Sequence, residues 1–289
     1  MRYNIFEIFR IEVFVLSIQI IHISKELLLR VKNDDISAWA AKLTFFLLLS
    51  IFPFLIFIIE LLNHITINTE SVYALTQFFP EEIISIFTLI IEDISNVKTP
   101  SSLLPIAIIA AIWSASKGIM AIIGGLNMAY KEKETRSYIY LRALSLIYTV
   151  AFAFILLITL GFIVFGNKII GLLIINVPIL SEWAYTIDLI RFISSIVLTF
   201  LFFILLYNAT PNRKIMIRDV MPGAFFAMVS WLFTSYFFSI YVNTSKSFSY
   251  MYGSLTSIII LLLWLYVSCT IIMLGGEINA IISEYKRKH

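Results

Sequence analysis

The sequence predicts an all-α, polytopic membrane protein: a bundle of six transmembrane helices with an N-terminal amphipathic helix at the membrane surface. Three observations carry this. The chain of 289 residues is 60% hydrophobic and 13% charged, half the ~25% charged residues of a soluble domain, and its mean hydropathy is +0.95. Its charges are clustered: 43–59, 143–167, 192–212, 220–245 and 247–276 contain no Asp, Glu, Lys or Arg, and 103–126 contains only Lys117. Each run reaches or approaches the ~20 apolar residues that cross a ~30 Å hydrocarbon core. Finally, the loop charges alternate from one side to the other.

Segment 1–38 comes first. MRYNIFEIFRIEVFVLSIQIIHISKELLLR intersperses Glu7, Arg10, Glu12, His22, Lys25 and Glu26 among apolar residues. A signal peptide has an unbroken apolar block before a small-residue cleavage site. The mixed pattern fits a helix lying at the interface, with a seventh span over 11–31 as a minor alternative. The membrane domain then covers 39–282, with spans at 39–62, 103–126, 143–166, 186–208, 221–242 and 254–282. A basic tail, 283–289, ends the chain.

Outside these spans, Lys and Arg number 5, 1, 4, 1, 3, 1 and 3 in successive segments, fifteen on one side and three on the other. Positively charged loops face the cytoplasm, so both termini are expected there, in the cell (inner or plasma) membrane. The net charge of +3 then reflects this bias and contact with lipid head groups rather than nucleic-acid binding. In the outer loop 63–102, PEEIISIFTLIIEDI (80–94) has helical periodicity. A helix resting on the outer leaflet is the favoured reading, and a lid the alternative.

Catalytic signatures are absent from the sequence. Cys269 is the only cysteine, and His22, His64 and His289 lie far apart. There is no HExxH, P-loop or GxSxG. The expectation is a non-enzyme with no metal site and no cofactor.

Five ionisable residues fall within or at the ends of spans. Lys42, Glu60 and Arg191 lie near helix ends, where side chains snorkel to the interface. Lys117 and Glu277 differ, because helix side chains lean toward the N-terminus and both would have to bend against that lean. They are expected to bind a group inside the bundle; a direct contact between them is allowed but not required. On the second span Trp113, Lys117, Met120, Gly124 and Asn127 share a stripe beside the small residues Ser114, Gly118, Ala121 and Gly125, the type that lets helices pack closely. On the last span Tyr266, Thr270, Met273 and Glu277 share another. The expected polar path is Lys117, Glu277, Trp113, Asn127, Tyr266 and Thr270. Packing or kinks are assigned to Pro53, Ser114, Gly118, Gly125 and Gly275, with Pro222 in an N-terminal turn of the fifth span.

Several stretches carry a family resemblance: LTFFLLLSIFPFL, WSASKGIMAIIGGLN, YNATPNRKIMIRDVMPGAFFAMVSWLFTSYFFSIYV, YGSLTSIIILLLWLY and LGGEINA. In this order, from about residue 38 to 282, the sequence resembles the YihY/BrkB family of bacterial inner-membrane proteins. Matching positions are Pro53, Trp113, Lys117, Gly118, Asn127, Pro211, Gly223, Tyr241, Gly253, Trp264, Gly275, Glu277 and Asn279. The resemblance implies six spans and no agreed activity. Members have been linked to serum resistance and to envelope lipids, and the family once carried a ribonuclease BN label. That label conflicts with the missing His/Asp cluster and the short basic loops. Position 117 looks more often like Arg in relatives, consistent with a need for a cation.

The reading is a membrane transporter or translocase of lipids or other anionic amphiphiles in the bacterial envelope. The alternative is a non-transporting scaffold for envelope assembly. Expected partners are membrane lipids and an anionic amphiphile, without nucleic acid, and the sequence leaves the oligomeric state open.

Overall fold

A computed structural model describes residues 23–63, 103–155, 158, 184–244 and 255–288. All secondary structure among them is helical: α1 (23–33), α2 (Ile36–Asn63), α3 (Leu103–Ala129), α4 (Tyr138–Ile155), α5 (Ala184–Ala209), α6 (Ile217–Thr244) and α7 (Leu255–Lys288). Five of these, α3 to α7, contain stretches long and apolar enough to cross a membrane, and α2 adds an apolar stretch over Ile36–Ile51. This is a multi-pass, all-α membrane protein. The expected outer helix 80–94 and the interfacial segment before residue 23 lie outside the described residues, as do the side chains of Glu60 and Arg191.

Helix boundaries depart from the hydropathy-based spans where polar residues can cap. α4 begins at Tyr138, five residues earlier than expected, because Ser137 acts as its N-cap: its Oγ accepts from the Tyr140 amide at 3.4 Å and its carbonyl from the Leu141 amide at 2.9 Å. Arg142 is therefore carried one turn inside the helix instead of lying in a loop. α6 starts at Ile217, so Pro222 falls inside the helix rather than opening it. α7 runs on to Lys288, and Lys286 of its last turn donates to Asp219 at 2.6 Å. α3 ends in a Schellman arrangement. Lys131 takes φ 56°, its amide donates to Met128 O, and the Glu132 amide donates to Asn127 O.

α2 packs extensively against α3, α6 against α7 and α2 against α7. Small residues set these approaches. A Cβ on Gly118 would stand 3.3 Å from Leu43 Cδ1, and one on Gly125 would stand 2.7 Å from Met273 Sδ. The α6–α7 crossing is tighter. A Cβ on Gly223 would fall on the carbonyl oxygen of Gly275, and one on Gly275 would fall on the Tyr207 hydroxyl. Around this contact Tyr207 donates to Ile272 O at 2.8 Å and the Gly223 amide donates to Asn279 Oδ1 at 2.7 Å. Leu43, Ala121, Leu126, Phe203, Leu206, Tyr207, Val220, Ala224, Cys269 and Met273 form much of the continuous core.

Candidate functional site

Two groups of ionisable residues are built into this frame. The first closes one end of the bundle. Arg30 on α1 is buried, with Glu26 Oε1 at 3.1 Å, Glu284 Oε2 at 2.5 Å and Glu277 Oε2 at 3.5 Å. It also donates to the Ala129 carbonyl at 3.1 Å, placing a cation at the carbonyl end of α3. Burial works against the charge on Arg30, but the hydrogen bonds to Glu26 and Glu284, together with the charges of Glu277 and Glu284, hold its pKa above the ordinary value.

Loop 130–137 is fastened to loop 210–216 beside this cluster. Asn127 Oδ1 accepts from the Asn212 amide at 2.7 Å, while its Nδ2 donates to Glu134 at 2.9 Å. Arg136 binds Glu134 and reaches Thr210 O, and Tyr148 donates to Ala209 O. The Arg136 hydrogen bonds hold the Glu134 carboxyl below its ordinary range. Among the described residues, Arg30, Lys131, Arg136 and Lys286 thus lie at one end of the bundle.

The second group lies along α3. Lys117 is the fifteenth of its 27 residues, close to mid-helix, and its side chain is exposed. Its Nζ stands 5.7 Å from the centre of the Phe46 ring on α2. Trp113, one turn away, is 51% exposed. Beneath it lies Arg142 of α4, only 8% exposed, with its guanidinium carbon 3.9 Å from the centre of the indole. Arg142 Nη2 donates to Trp113 O at 3.2 Å, Nη1 approaches Met120 Sδ at 3.5 Å, and the buried Nε has no acceptor among the described residues. Among the described residues no carboxylate lies within 4.0 Å of either Lys117 or Arg142.

A family model for the virulence factor BrkB matches residues 27–289. The chain belongs to the BrkB family. Among relatives, a Bacillus subtilis protein named as ribonuclease-like, YfkH, is 39% identical over 268 residues, covering 91% of this chain and 96% of its own. A UPF0761 membrane protein of Aggregatibacter aphrophilus is 25% identical over 264 residues, 89% of this chain and 90% of the relative. The UPF0761 membrane protein YihY of Salmonella typhimurium is 29% identical over 168 residues, 58% of this chain and 55% of its own. No solved structure matches the chain.

In this BrkB-family chain the expected polar path divides between the two groups. Glu277 joins the end cluster, where its ionic partner is Arg30 rather than Lys117. The reason is the small-residue face of α3: Gly125 meets Met273, and Leu126 meets Gly276. That face turns to α2 and α7, leaving Lys117 and Trp113 outward. Asn127 is 4% exposed and committed to the loop clasp. Thr270 donates back to Tyr266 O within α7, and Tyr266 packs on the core. Ser114 is partly buried, Pro53 lies inside α2, and Lys42 stands 4.7 Å over Trp39.

Arg30 and Arg142 are the residues that sequence reasoning missed. Both were counted only as loop charges that orient the chain. A usable signal for Arg142 was Ser137, a helix cap five residues before it.

Proposed function

We propose that this BrkB-family protein is a translocase or transporter for an anionic amphiphile, with membrane lipids as its partners and no bond-making chemistry. One observation carries the reading: Lys117 is exposed near the middle of a membrane-crossing helix, with no carboxylate against it among the described residues. A lysine at the centre of a bilayer costs ~2.5–3.5 kcal/mol on insertion scales. Packing does not repay this, because the side chain is not packed inside the bundle. An anionic head group crossing along the α2–α3 surface would neutralise it. The protein then sits in the bacterial plasma membrane with both termini cytoplasmic, an orientation supported by Arg30, Lys131, Arg136 and Lys286 lying at one end of the bundle.

A scaffold is the second reading, and the Arg30–Glu277 contact favours it, since that pair only locks α1 onto α7. The two readings differ at Lys117→Met. In phosphatidylcholine nanodiscs the variant should be as stable as wild type or more so, because an exposed charge has been removed. A translocase would lose its stabilisation by anionic lipid and its transfer of fluorescent anionic lipid between leaflets. A variant that keeps both would overturn the translocase reading.

A further inference from the structure

Among the described residues, the carbonyl and thioether around Arg142 leave its charge uncompensated. A guanidinium presents five N–H donors in a fixed fork. Here one goes to the Trp113 carbonyl and one to a sulfur, a weak acceptor, while the Nε–H has none. A buried cation ordinarily needs a paired anion. Trp113 and Met120, both α3 partners of Arg142, bracket Lys117 on one stripe of the helix. A second uncompensated cation therefore stands in the same short stretch.

Resting on the translocase reading above, we propose that Arg142 and Lys117 form a seat for a phosphate group, with the indole of Trp113 as its cover. The donor set favours phosphate over carboxylate. The Arg fork binds two oxygens and the Lys ammonium acts as a separate point charge, so an anion with oxygens on several sides serves both. A carboxylate satisfies the fork and leaves the ammonium bare. The seat opens outward: Lys117 is exposed and Trp113 half-exposed, which lets a head group enter from the bilayer while its acyl chains stay in lipid. Twelve residues separate Lys117 from the end of α3, about 18 Å at 1.5 Å each. A phosphate held there would be midway through a ~30 Å core.

The test uses the full chain in phosphatidylcholine nanodiscs, reading melting temperature against added dioleoyl phosphatidylglycerol, oleate or inorganic phosphate. Phosphatidylglycerol should stabilise wild type, and Arg142→Lys and Lys117→Met should each need roughly tenfold more lipid for the same shift. If inorganic phosphate gives the same Arg142-dependent shift, the seat stands and its ligand comes from water. Oleate matching phosphatidylglycerol would overturn the phosphate assignment. A lipid response that depends on Lys117 but not Arg142 would overturn the seat and leave the translocase reading intact. Arg142-dependent binding without movement of fluorescent phosphatidylglycerol would keep the seat and sink the translocase reading. Should Arg142→Lys not fold, Trp113→Ala at an exposed position decides the matter. Removal of the cover must change phosphatidylglycerol affinity, and an unchanged affinity overturns the proposal.

Discussion

Glu277 Oε2 lies 3.5 Å from Arg30 Nη1, with both side chains at least 95% buried. At this distance the contact is one of charge rather than a hydrogen bond, and the carboxylate oxygen has no hydrogen-bond partner among the described residues. Arg30 also grips Glu284, two turns along α7, and the carbonyl end of α3. One cation thereby joins three helices.

Removing Arg30 should be costly because it strands Glu277. Breaking a buried pair by deleting one partner costs about 3–5 kcal/mol, so Arg30→Met should sharply lower melting temperature and yield. Arg30→Met with Glu277→Gln should recover part of the loss, as no buried charge is then left alone. Lys117→Met and Glu277→Gln share no contact, and their effects on melting should add. Strong non-additivity would show that the two residues are coupled.

The α6–α7 crossing has no room for a methyl group. Gly223→Ala would drive a Cβ into a backbone carbonyl, which cannot swing aside. Overpacking a core typically costs about 1–3 kcal/mol and occasionally more, and this substitution should lie at or above the upper end. Gly118→Ala meets only a leucine methyl at 3.3 Å and should change melting far less. Thermal unfolding of the two variants in one detergent checks the ranking.

Loop 130–137 should loosen in acid. The folded-state pKa of Glu134 is depressed, chiefly by hydrogen bonds from Arg136. Its contribution is thus present above the ordinary value of 4.5 and lost as pH falls through the lower folded value. Hydrogen exchange of this loop should quicken below that window, and Glu134→Gln should show the faster exchange already at neutral pH. Asn127→Ala should have the same effect at every pH, because it unties Asn212 as well.

Cys269 provides a silent background for topology. It is 1% exposed in the core, so a membrane-permeant maleimide should leave it unlabelled in the folded protein. Cysteines introduced at Lys133 and Arg287 should both react from the cytoplasmic side. Labelling of either from outside would overturn the proposed orientation.

The sequence by itself determined the class of the protein and the location of most of its helices. Both are local properties: an apolar run long enough to cross a bilayer must satisfy its own backbone as a helix, whatever its neighbours. The stripes on α3 were legible for the same reason, since they follow from helical periodicity along one element. The partners of those stripes were not. Lys117, Arg142 and Arg30 each appear in the sequence as a lysine or arginine at some depth. Their roles depend on which faces meet. Only the packed bundle shows that glycines draw α2 and α7 onto one side of α3, that Glu277 finds Arg30 rather than Lys117, and that a Ser137 cap carries Arg142 beneath Trp113. The physical reason is that helix formation is set within a segment, whereas charge pairing is set by distances between segments far apart in the chain.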